Sequence, residues 1–72
     1  MNWSECSDVE SRPGVVSGAF VVKGTRVQAD AVVANAEDGY SPEQIATEIF
    51  DLPLDLVRRV IQYAKVHGYH PA

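Results

Sequence analysis

The chain has 72 residues, 46% of them hydrophobic, which is enough for one small domain and excludes a multidomain protein. Its formal net charge of −4 disfavours strong non-specific DNA binding, which needs many phosphate contacts, and its single cysteine excludes a disulfide framework and favours a reducing, cytoplasmic setting. No apolar stretch reaches the length of a membrane span, and the N-terminus lacks the basic-then-apolar pattern of a signal peptide.

Residues 1–12 are polar and show neither helical nor strand periodicity. This pattern predicts a flexible N-terminal arm, followed by a single domain over residues 13–72. Trp3 lies within the arm. We expect it to be unpacked in the isolated chain, with anchoring on a partner as the alternative.

A β element is expected over residues 15–28, where short β-prone pieces alternate with glycines. Gly24 suits a turn between two of these pieces because glycine adopts positive φ freely. An isolated hairpin is marginal in water, so the strands must pack on the helices or pair with a second copy. We expect a homodimer through this β arm, because a lone hairpin leaves an apolar edge exposed. The residues given this dimer or structural role are Phe20, Val21, Val22, Gly24, Thr25, Arg26 and Val27.

Three helices are expected next, over residues 31–38, 42–50 and 54–67. Asp30 is placed to cap the first helix and Gly39 to end it. Ser41 is a good N-cap for the second, and Gln44 stands where a capping box requires it. The third is expected to end near Gly68.

The last helix carries an apolar stripe at helical spacing, which predicts the face that packs on the core. Together the elements predict a mainly α fold: a three-helix, homeodomain-like helix-turn-helix bundle with a short N-terminal β-hairpin arm. The stripe comprises Leu54, Val57, Val60, Ile61 and Ala64.

Charge is distributed unevenly. From residue 54 to the end the chain carries three basic residues and one acid. Residues 29–52 contain six acids and no lysine or arginine. The acidic segment 29–52 therefore suits a basic protein partner. The six acids are Asp30, Glu37, Asp38, Glu43, Glu48 and Asp51.

The opposite side of the last helix from the apolar stripe holds the nucleic-acid candidates, at the place where a recognition helix faces the major groove. These candidates are Arg58, Arg59, Gln62 and Lys65. The competing interpretation is a solvated face with Asp55 and Arg59 as an i,i+4 ion pair, because three basic groups make few phosphate contacts.

No catalytic constellation is visible: paired carboxylates, a phosphate-binding glycine loop and a Ser/His/Asp set are all missing from the sequence. His67 and His70 lack the further ligands of a zinc site, and Cys6 has no neighbouring histidine. We therefore expect no enzyme activity, no metal and no cofactor.

Two motifs at a fixed distance suggest a family. The stretch Gly18-Ala19-Phe20-Val21-Val22-Lys23-Gly24-Thr25-Arg26-Val27 and the later Gly39-Tyr40-Ser41-Pro42-Glu43-Gln44-Ile45 resemble the bacterial "domain of unknown function 433" proteins. The resemblance extends over residues 12–64. Phe20 and Gln28 stand where prolines are common in that family, so both positions keep a backbone N–H.

The resemblance implies a helical fold with an N-terminal β element, usually dimeric. Many such proteins are regarded as antitoxins of type II toxin–antitoxin pairs, beside a PIN-like ribonuclease toxin. The first expectation is therefore a small non-catalytic dimeric antitoxin, with operator DNA as a further ligand. Two alternatives stay open: a stand-alone DNA-binding transcriptional regulator, and a protein–protein dimerisation module with no nucleic-acid role. The Gly24-Thr25-Arg26 triplet is either a structural turn or a binding loop.

Overall fold

A computed structural model describes residues 3–68. It contains two short strands, β1 (Val9–Ser11) and β2 (Phe20–Val22), and three helical segments. These are α1 (Ala29–Glu37), α2 (Pro42–Gln44) with a π-helical turn (Ile45–Ile49), and α3 (Leu54–Val66). Single 3₁₀ turns lie at Trp3–Glu5 and Val16–Gly18. The expected fold class, mainly helical with an N-terminal two-stranded antiparallel hairpin, is confirmed.

The hairpin is formed by a different pair of strands from the expected one. Val9 pairs with Val22 and Ser11 with Phe20 in an antiparallel register, so β1 comes from the segment expected to be an arm. The expected turn at residues 23–25 is present, but only the single bridge between Val21 and Gln28 follows it. The antiparallel partner of β2 therefore lies before β2 in the chain.

Trp3 is buried, with 4% of its surface exposed, which corrects the expectation that it is unpacked. Its ring stacks on Tyr63 of α3 with centroids 5.4 Å apart, and its indole N–H donates to the Asp30 carboxylate at 2.7 Å. Asp30 was expected to cap α1. Instead Gln28 stands at the N-cap, without a side-chain hydrogen bond, and Asp30 binds the indole from the first turn. The start of the described chain is thus part of the core.

The helix boundaries follow the expected signals closely. Ser41 and Gln44 form the reciprocal capping box, with the Ser41 hydroxyl accepting from the Gln44 amide at 3.1 Å. Gly39 and Gly68 follow α1 and α3 with φ of 101° and 64°, values that favour glycine. After α2 the backbone widens, since the Phe50 amide donates to the Ile45 carbonyl five residues earlier.

The core is formed where α1, α3, the π turn and β2 meet. The expected apolar stripe of α3 faces inward: Val57 and Val60 are fully buried, and Ile61 and Ala64 nearly so. Leu54 is partly buried against the same cluster. The other fully buried large side chains are Ile45, Val21, Val22 and Val32.

We expect Trp3→Ala to destabilise the chain by about 3 to 5 kcal/mol, because the change empties a buried aromatic site. A loss of that size is comparable to the whole stability of a domain this small. Trp3→Phe is the matched control. It keeps a ring against Tyr63 but removes the indole donor, and should cost only about 1 to 2 kcal/mol. Urea unfolding followed by far-UV circular dichroism measures both. Equal stability of Trp3→Ala and the native chain would show that the N-terminal segment is not docked.

Val16 has φ of 48°, which is strained for a β-branched residue, and it is 37% exposed. Val16→Asn should therefore stabilise the chain by about 1 kcal/mol, because asparagine tolerates this conformation. The neighbouring Val15 has φ of −106° and serves as the control. Thermal melting of both variants tests this: only Val16→Asn should raise the melting temperature, and a similar rise in Val15→Asn would refute the strain argument.

Candidate interaction face on the last helix

The four candidate residues of α3 lie together on its outer surface. Arg58, Arg59, Gln62 and Lys65 are all exposed, and they line one open depression of about 430 Å³ with Pro42 and Ile61. The inward packing of the apolar stripe leaves this side of the helix in solvent. We call these four residues the α3 face. The structure thus brings together the residues that the sequence singled out.

Both arginines of the α3 face are paired with acids of the same chain. The Arg58 Nη2 donates to a Glu43 carboxylate oxygen at 2.6 Å, and the Arg59 Nε lies 3.1 Å from each Asp8 carboxylate oxygen. The expected i,i+4 pair between Asp55 and Arg59 is therefore replaced by a contact that spans 51 residues. Among residues 3–68, Gln62 and Lys65 form no side-chain hydrogen bond or ion pair.

The two ion pairs shift the pKa values of Glu43 and Arg59. The pKa of Glu43 is lowered, first by a hydrogen bond from its own backbone N–H in the first turn of α2 and second by Arg58. The pKa of Arg59 is raised, chiefly by Asp8. Tyr63, beneath Trp3, has its pKa raised by burial and then by Glu5 and Cys6. In the native chain the guanidinium charges of the α3 face are thus compensated before any ligand arrives.

Sequence reasoning missed Asp8 and Glu43 as members of this face. Glu43 lies in the first turn of α2, where the helix dipole favours an acid whether or not an arginine is nearby. Asp8 reaches Arg59 only because the N-terminal segment folds over α3, and no local pattern signals such a contact. Val9 is the only apolar residue of β1, and one apolar residue gives no periodicity from which to predict a strand next to Asp8.

The residues of the expected β arm are placed mainly by hydrogen bonds of a turn. Gly24 has φ of 78°, and its amide donates to Glu10 at 2.8 Å. The Thr25 hydroxyl donates to the Val22 carbonyl and accepts from the Val27 amide. Val21 and Val22 are fully buried in their own chain, and Phe20 and Val27 pack partly buried beside them. Arg26 is exposed and forms no side-chain hydrogen bond or ion pair among the described residues.

The remaining candidates stay apart from the α3 face. His67 stacks on Tyr63 with ring centroids 4.2 Å apart, while His70 lies outside the described residues. Cys6 is buried and unpaired. Within residues 3–68 no group of three or more His, Cys, Asp or Glu side chains is arranged to hold a metal ion. No helix in this part of the chain is long and apolar enough to cross a membrane.

The fold and its motifs define a class of small helical domains with an N-terminal hairpin and an exposed last helix. Residues 9–64 match the family described as "Protein of unknown function (DUF433)", and the chain belongs to that family.

A solved structure shares the fold: the crystal structure of a DUF433 member protein from Anabaena variabilis ATCC 29413 aligns with a TM-score of 0.67 at 18% identity. The alignment covers 85% of this chain and 60% of that chain, so this chain spans less than two thirds of that protein. No curated protein matches.

We predict that Arg58→Gln raises the pKa of Glu43 without restoring it fully to the ordinary value of a glutamate. Arg58 is the second cause of the lowered pKa, and the backbone hydrogen bond, the first cause, remains. A folded-state pKa below the unfolded value gives stability that is present at neutral pH and lost as pH falls through the folded pKa. NMR titration of the Glu43 carboxyl measures the change. An identical pKa in both proteins would mean that the ion pair is absent in solution.

Proposed function

We propose that this chain is a small non-catalytic binding protein that acts as an antitoxin, neutralising a PIN-like ribonuclease by direct contact. The antitoxin role is the one implied by the sequence resemblance. The structural support for this proposal is the difference between the charged side chains that are paired within the chain and those that are not. Within the described residues both arginines of the α3 face are paired with acids, whereas Asp38 and Glu48 are exposed and have no side-chain partner.

Exposed acids without partners in the described part of the chain, together with arginines that are already paired, favour a basic protein surface as the ligand. A ribonuclease must hold the phosphate backbone of RNA, and a surface that does so carries lysine and arginine. The acids of residues 29–52 complement such a surface and speed its encounter with this chain. Covering that surface would block the path of RNA, so inhibition requires no chemistry by the inhibitor. The depression on the α3 face is open to solvent, which suits contact with a macromolecule better than enclosure of a small substrate.

A homodimer is part of this proposal. The sheet among the described residues has only two strands, and residues 27 and 28 already lie against the free edge of β2, so pairing with a second copy would use the outer edge of β1. Because Val21 and Val22 are already buried within one chain, such pairing would use the backbone of the strand edges and would not need to exchange the apolar side chains.

Operator binding is the second candidate function, in the antitoxin or in a stand-alone regulator. The observation that favours it is the placement of the α3 face on the exposed side of the last of three helices, as in a helix-turn-helix protein. A gel shift with the upstream DNA of the gene tests this candidate with the chain alone and with its partner. Specific retardation supports it, and no specific retardation in either case excludes it.

The antitoxin proposal predicts that the tagged chain, purified from its host, captures a PIN-like nuclease and inhibits its cleavage of RNA at an equimolar ratio. Asp38→Lys with Glu48→Lys should weaken inhibition at least about tenfold, because it places positive charge against a basic surface. Glu5→Lys with Asp55→Lys is the matched control, since both double variants change the formal net charge from −4 to 0. Equal loss in the two variants would refute the charge argument, and failure to inhibit any captured nuclease would refute the antitoxin role.

A further inference from the structure

The acids that pair with the α3 face come from two different parts of the fold. Glu43 lies in the first turn of α2, where the capping box formed by Ser41 and Gln44 on either side of it holds the backbone. Asp8 directly precedes β1, and its backbone carbonyl accepts the Lys23 amide at 2.9 Å, which ties it to the end of β2. Each acid is therefore held by local structure that does not involve the arginine it contacts.

Asp8 is also the less exposed partner of its pair, with 20% of its side chain accessible against 57% for Arg59. Its two carboxylate oxygens lie at equal distances of 3.1 Å from the Arg59 Nε. The nearer acid in sequence, Asp55, makes no such contact and acts on Arg59 only through its charge. The fold therefore gives Arg59 a partner from the N-terminal segment instead of one from its own helix.

These pairs have a direct consequence for phosphate ligands. Affinity for nucleic acid rises with the number of phosphates that basic side chains neutralise, because each contact releases counterions. An arginine already neutralised by a fixed carboxylate must first lose that partner, and the carboxylate then repels the phosphate from nearby. Of the three cations on the α3 face, only Lys65 lacks a paired acid among the described residues.

We propose that Asp8 and Glu43 are specificity determinants that close the α3 face to nucleic acid. The face presents three cations and a glutamine on an exposed helix, and these two carboxylates suppress the affinity of its arginines for phosphate. This inference goes beyond the proposed antitoxin function and does not depend on it, since it concerns the isolated chain. It opposes the second candidate function, operator binding by the α3 face of the native chain. It predicts a latent nucleic-acid affinity that appears when the two acids are neutralised.

The test is the affinity of the full chain for a fluorescein-labelled 20-base-pair DNA duplex of arbitrary sequence, measured by fluorescence anisotropy between 50 and 200 mM salt. Asp8→Asn with Glu43→Gln should bind at least about tenfold more tightly than the native chain at 50 mM salt. The slope of log K against log salt should steepen by about 2, the value for two additional phosphate contacts. Glu43 is exposed, and Glu43→Gln alone leaves Asp8 in place, so this single variant should give roughly half of the steepening of the salt slope.

Two further variants separate the proposal from a general charge effect. Asp38→Asn with Glu48→Gln makes the same change in net charge away from the α3 face and should leave the affinity within about twofold of the native value. Adding Arg58→Gln and Arg59→Gln to the variant with Asp8→Asn and Glu43→Gln should abolish its gain in DNA affinity. Circular dichroism checks that each variant is folded. No gain on neutralising Asp8 and Glu43, an equal gain in the control variant, or a gain that survives loss of both arginines would each overturn the proposal.

Discussion

The packing of α3 on the core is the constraint on which the rest of the molecule depends. Val57, Val60 and their apolar neighbours turn inward, and this fixes the direction in which the arginines of the same helix point. Tyr63, at the edge between the two sides, is covered by Trp3, so the N-terminal segment is docked on the helix by the same packing. The docking then brings Asp8 to Arg59. One buried stripe thus determines both the position of the α3 face and its electrostatic state.

The face created in this way lies on the exposed side of the last helix, and both of its arginines are already paired with acids. Surface ion pairs contribute little to stability, so the two pairs are better understood through their effect on binding than through their effect on folding. Both arginines of the α3 face are paired, whereas Asp38 and Glu48 are exposed without a side-chain partner among the described residues, and this distribution favours a basic partner over a polyanion. The chain belongs to the DUF433 family, which is described as of unknown function and assigns no partner.

Much of the helical structure could be predicted from the sequence because its signals are local. The capping box at Ser41, the glycines after α1 and α3, and the apolar stripe of α3 each act within a few residues, and each was confirmed. The strand pairing could not be predicted in the same way. β1 joins β2 across an eight-residue connection, and its three residues include a single apolar side chain, which is too little to identify a strand. The role of Trp3 and the partner of Arg59 depend on that pairing, so both were missed together.

The most direct measurement is the NMR signal of the Arg59 Nε–H in the full chain, with the Arg26 signal as an internal reference. Arg26 is exposed and has no side-chain partner among the described residues, so its Nε–H should exchange rapidly with water. The account predicts slower exchange for Arg59, and predicts that Asp8→Asn abolishes this protection while leaving Arg26 unchanged. Equal exchange of the two signals in the native chain would contradict the account, because the N-terminal segment would then not hold an acid against α3.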